Sequence, residues 1–96
     1  MPAYLIVLRT EPVRDEAAMV EYQRKTRETA PTVPLKPLVV HGTTIPLEGE
    51  APDGVVMIEF ASVEDAKAWY NSPDYQAALP HRLKAAGYQT FIVEGL

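Results

Sequence analysis

Cysteine is absent from the 96 residues, which removes disulfide scaffolds, thiolate zinc sites and cysteine nucleophiles together. Glycine occurs five times, and no GxGxxG, P-loop or GxSxG spacing appears. Chemistry on a phosphate-anchored cofactor is thereby excluded, and no cofactor is expected. Basic residues number nine against 13 acidic ones, and they are scattered, so the net charge of −4 offers no nucleic-acid footprint. The N-terminal apolar run, Tyr4 to Leu8, is five residues long, with no basic segment before it. It reads as neither a membrane span nor a signal peptide, and a cytoplasmic protein without membrane contact is expected. The two histidines, His41 and His81, do not form an HxxH or HExxH spacing, so no metal site is expected.

What remains is a globular composition: 47% hydrophobic and 23% charged residues. A chain of this length buries roughly 65% of its extended surface, enough for one thin core. A single domain over residues 1–96 follows.

Hydrophobic patterning orders the elements. Ala3 to Leu8 is apolar without alternation and reads as a strand covered on both faces, ended by Pro12. From Asp15 as N-cap to Thr29 the period turns helical, with Met19, Tyr22, Thr26 and Ala30 on one stripe and a Glu21–Lys25 pair on the other side. The prolines of segment 30–34 break that helix. Leu35 to His41 reads as a strand that continues irregularly to Leu47, and Pro37 and Pro46 place it at an edge. Residues 48–54 form a turn and Val55 to Phe60 the clearest strand. Ser62 caps a short helix ending near Tyr70, and Ser72 with Pro73 at N1 starts another. Pro80 predicts a kink or a fresh turn there, Gly87 a C-terminal stop, and Thr90 to Glu94 the last strand.

The order β-α-β-β-α-β is that of the ferredoxin-like split βαβ, an α+β fold with both helical segments on one face of a four-stranded antiparallel sheet. Strands one and three are nevertheless apolar on both faces. Such a sheet exposes an apolar face that calls for cover, so a homodimer through the sheet face is expected, a monomer with a greasy sheet being the alternative.

Ile58-Glu59-Phe60, Ser62, Ala66, Trp69-Tyr70, Ser72-Pro73, Tyr75-Gln76, Arg82 and Val93-Glu94-Gly95 together resemble the uncharacterised bacterial family catalogued as domain of unknown function thirteen-thirty. The likeness is closest over the C-terminal half. It implies membership of the dimeric α/β-barrel superfamily, and so the homodimer, but no particular reaction. Around strand two the chain departs from the pattern, with Pro31 to Pro34 and His41-Gly42 in place of a Gly-rich turn and an Arg-Gly-Gly-like strand end.

Six residues are candidates for chemistry. A hairpin centred near Glu50 places His41 opposite Glu59, where the carboxylate would orient the imidazole as a general base; a structural ion pair at the barrel edge is the alternative. Trp69 and Tyr75 flank the helix junction with Tyr70, and Tyr22 projects toward the sheet. They form either an aromatic wall for a flat ligand or plain core packing. Arg82 can clamp a substrate carboxylate or bridge to a neighbouring helix or subunit, while His81 is expected in solvent.

Superfamily relatives include quinol-type monooxygenases, lactone isomerases and cyclases, which work in an apolar pocket on substrates that supply much of the reactivity. The resemblance therefore implies a cofactor-independent enzyme acting on a small hydrophobic or aromatic metabolite. The alternative is a non-catalytic ligand-binding, dimerisation or stress-associated module. Haem degradation, also known in that superfamily, is excluded. Leu79 stands where those enzymes carry the haem-ligating histidine, His81 is displaced by about 200° around a helix, and Phe60 stands where they carry a second tryptophan.

Overall fold

The computed structural model describes residues 1–29 and 31–96. Its elements run β1 (Ala3–Arg9), α1 (Glu16–Glu28), β2 (Leu35–Val40), β3 (Gly54–Phe60), α2 (Val63–Tyr70), α3 (Pro73–Ala85) and β4 (Tyr88–Glu94). The strands form one antiparallel sheet in the order β2-β3-β1-β4, so the ferredoxin-like α+β topology is realised and β2 is an edge strand, as Pro37 requires.

The helix starts are set by short polar side chains that take up orphan backbone donors. Asp15 Oδ1 accepts from the Ala18 N–H at 3.0 Å, Ser62 Oγ from Asp65 at 3.1 Å and Ser72 Oγ from Tyr75 at 3.3 Å. Ser72 also donates to the Trp69 carbonyl at 2.8 Å, stitching the end of α2 to the start of α3. On α1 the expected Glu21–Lys25 pair stands at 3.9 Å, because Arg24 occupies Glu21 and also reaches Glu28 at 2.9 Å. Ala30, placed by periodicity on the apolar stripe of α1, lies outside the described residues.

Two expectations are corrected. The helix does not break at Pro80: α3 is continuous through it. The carbonyl that loses its partner there belongs to Gln76, and both residues are exposed, so water can satisfy it. Strand β2 stops at Val40 rather than continuing to Leu47, because His41 adopts φ 53° and turns the chain out of the sheet. The expected stop is in place: the C-cap of α3 is Ala86 in extended conformation, and Gly87 follows it, where a Cβ would lie 2.9 Å from the Glu11 carboxylate.

One face of the sheet carries Leu5, Val7 and Phe60, which form the core with Ala66 of α2. Of the helices, α2 brings its backbone closest to the sheet. Helices α1 and α3 pack on each other through Ala18, Met19 and Ala85, the two alanines permitting close approach. The opposite sheet face bears the row Val39-Met57-Ile6-Phe91, with Leu8, Val55 and Val93 beside it. None of the described helices covers it. No helix is long and apolar enough to cross a membrane among the described residues.

Candidate functional site

Between the sheet and the α1–α3 layer lies a cavity of about 220 Å³. Its floor is Leu5, Val7, Val56 and Ile58 of the sheet, and its roof carries Met19, Tyr22, Tyr75 and Arg82. Trp69, Tyr88 and, at the end of β2, His41 complete the lining. The volume exceeds the roughly 150 Å³ that holds benzene and falls short of the roughly 300–1,000 Å³ of drug-sized sites. One ring with short substituents fits.

Element periodicity explains the lining. Tyr75 and Arg82 are two turns apart on α3, on the same buried face as Ala78 and Ala85. The Tyr22 and Tyr75 hydroxyls meet at 3.0 Å, with their rings edge to face at 6.2 Å between centroids. Trp69 lies 4.3 Å from the Tyr75 ring and 5.9 Å from Phe60. Such pairs contribute about 0.5–1.5 kcal/mol each beyond their buried area. Burial pushes both phenols above their ordinary range, so Tyr22 and Tyr75 act as protonated hydrogen-bond groups.

Arg82 is the buried charge of this site, only 3% exposed. Nη1 donates to Thr90 Oγ1 at 3.2 Å, and the guanidinium carbon stands 4.6 Å from the Tyr88 ring centroid. Nε has no partner, and no carboxylate among the described residues lies within ion-pair distance of Arg82. Among the described residues, a bridge to a neighbouring helix is therefore not what this side chain makes. A guanidinium enclosed without a carboxylate costs several kcal/mol.

His41 stands at the mouth of the cavity, largely exposed. Its ring lies over Gly54, where a Cβ would approach Nδ1 to 2.8 Å, and the Arg9 guanidinium is held nearby by Asp53 at 2.9 Å. Partial shielding from water, and then the charge of Arg9, lower the His41 pKa below its ordinary 6.5. Both effects favour the unprotonated imidazole.

The expected pairing of His41 with Glu59 is not formed. In the β2–β3 register, Lys36 is opposite Glu59, and the His41 N–H donates to the Val55 carbonyl at 2.8 Å. The loop after β2 is long and irregular, so the hairpin is centred nearer residue 48 than 50, and a register shift at Pro37–Val39 moves it further. Glu59 alternates with Ile58 and Phe60, which puts it on the outer sheet face beside Tyr4. His81 is half-buried rather than in solvent, and it does not line the cavity. Five of the six candidates, His41, Tyr22, Trp69, Tyr75 and Arg82, thus share one cavity, and Glu59 does not. Tyr88 and Gln23 line it without having been singled out. Tyr88 carried a signal all the same, lying six residues from Arg82 across a tight helix-to-strand turn.

The profile of the family described as "Domain of unknown function (DUF1330)" matches residues 2–96. The chain belongs to this family. Solved structures share its fold. The methylated RPA0582 protein, attributed in a second structure to Rhodopseudomonas palustris, superposes with a TM-score of 0.74 at 20% identity, over 99% of this chain and 81% of that one. An ethyl tert-butyl ether (ethd) family protein of Bacillus halodurans gives 0.64 at 19% identity, over 100% of both chains. A dimeric protein of unknown function with a ferredoxin-like fold, from Bacteroides fragilis, gives 0.60 at 18% identity, over 98% of this chain and 96% of that one. No curated protein matches the chain.

Proposed function

We propose that this protein is a cytoplasmic homodimer that binds a compact hydrophobic or aromatic metabolite between sheet and helices. The carrying observation is one cavity onto which four aromatic side chains, a buried guanidinium and an imidazole converge. The dimer closes over the outer sheet face, where Phe91 and Val93 remain 41% and 44% exposed in the single chain. The dimeric ferredoxin-like proteins of similar fold, from Bacteroides fragilis and Thermobifida fusca, support that arrangement.

In the catalytic form of this reading, His41 is the general base and needs no carboxylate partner, because Arg9 and its own shielding already favour its unprotonated form. The Tyr22–Tyr75 pair offers its one free hydroxyl hydrogen to the ligand oxygen, and Trp69 forms a flat wall. The reaction is of the monooxygenase, isomerase or cyclase type, driven by the substrate's own reactivity.

Trp69 is the sole tryptophan and lines the cavity, so its fluorescence reports occupancy directly. Phenols, quinones and lactones titrated against the purified protein should change that emission saturably. Turnover that is lost in His41→Ala identifies an enzyme; saturable binding with no turnover identifies a binding module. No response to any of the three classes would refute the cavity as a binding site.

A further inference from the structure

We propose that the ligand of this cavity is a carboxylate: a single-ring acid whose anionic head is held by Arg82 while its ring lies against Trp69 and Tyr75. This deepens the small-molecule reading above and rests on it.

The argument begins with a charge lacking its counter-charge. A guanidinium is a permanent cation with five donors set in a planar fork. On Arg82 one of these reaches Thr90 Oγ1 at 3.2 Å, Nε has no acceptor, and the residue is 97% withdrawn from solvent. Structural arginines at such depth are matched to carboxylates, and among the described residues none is within ion-pair distance. Here the ring of Tyr88 and one threonine hydroxyl hold the fork in place, and the side chain lines the cavity with only one of its donors matched to a side-chain acceptor. A planar carboxylate matches that fork in a bidentate geometry that water or a lone hydroxyl does not reproduce.

The remainder of the lining agrees. Tyr22 and Tyr75 stand on the same helical layer with their hydroxyls joined at 3.0 Å, and the one that accepts within the pair keeps its own hydrogen to donate to the same head group. Leu5, Val7, Val56 and Ile58 offer only apolar surface, which selects the ring. A volume of about 220 Å³ admits a benzoate-sized body. No acidic side chain lines the cavity to repel an anion.

Benzoate and nitrobenzene test this, since they are nearly identical in shape and differ in charge. Binding to the full-length protein is read from the Trp69 indole N–H resonance, because nitrobenzene quenches fluorescence by itself. Benzoate should bind roughly ten-fold or more tightly than nitrobenzene. Arg82→Met should abolish that preference while retaining nitrobenzene, and Arg82→Lys should restore part of it. The wild-type comparison stands even where a variant fails to fold. Nitrobenzene bound as tightly as benzoate overturns the carboxylate assignment and leaves the small-molecule reading intact. Absence of both from the cavity overturns both.

Discussion

The tyrosine pair illustrates how one hydrogen bond serves packing and recognition together. With Tyr22 and Tyr75 joined at 3.0 Å in a largely apolar enclosure, removing either hydroxyl strands the other. Tyr22→Phe is expected to lower stability by about 1 kcal/mol, read as a lower urea midpoint at unchanged slope. At His41 the consequence is a pH dependence. Its folded pKa lies below 6.5, so the unfolded chain binds the proton more readily. Its contribution to stability is therefore complete above 6.5 and declines as pH falls from there toward the folded value. An NMR titration of the His41 ring should show a midpoint below 6.5, and Arg9→Gln should move that midpoint upward. An unchanged midpoint in Arg9→Gln would mean that the guanidinium field does not reach the ring.

At the scale of elements, two features bear on the site. Helix α3 carries both Tyr75 and Arg82 and tolerates a proline between them because that proline faces water. Replacing it, Pro80→Ala, restores the N–H that can meet the Gln76 carbonyl. The change should raise stability by about 1 kcal/mol or more, measured by thermal or urea unfolding, without altering the cavity. The start of β3 is the second feature. Gly54 is buried under the His41 ring, and in Gly54→Ala the new methyl would meet Nδ1 at 2.8 Å. The imidazole can swing outward, so the strand should persist while His41 leaves the cavity mouth. Any turnover should fall as it does in His41→Ala, with cavity binding retained. Full turnover in Gly54→Ala would remove His41 from the mechanism.

At the scale of the whole molecule, the outer sheet face decides assembly. Its row Val39-Met57-Ile6-Phe91 runs across all four strands, and no described helix shelters it. Sedimentation should find a species of twice the 10.6 kDa chain mass. Phe91→Asp, which buries a charge in that interface, should shift the equilibrium toward the single chain at micromolar concentration. A wild-type particle that remains at 10.6 kDa would leave the face without its second copy.

Local chemistry made much of this legible in advance. The three caps at Asp15, Ser62 and Ser72, the two-sided apolar strands and the edge position of a proline-bearing β2 all follow from side-chain and backbone properties that act over a few residues. That Tyr75 and Arg82 share one face was not legible, because Pro80 between them predicted an interruption that the continuous α3 does not have. The partners of those residues were not legible. Whether His41 meets Glu59 depends on register, which a single extra residue in a hairpin reverses from one sheet face to the other, and here the positive φ at His41 and the irregularity at Pro37 settled it. That Arg82 has no carboxylate is a property of everything packed around it, and that the prolines of α3 and β2 are tolerated depends on which carbonyls face water. Spacing along the chain specifies direction within an element; only packing between elements specifies what stands opposite.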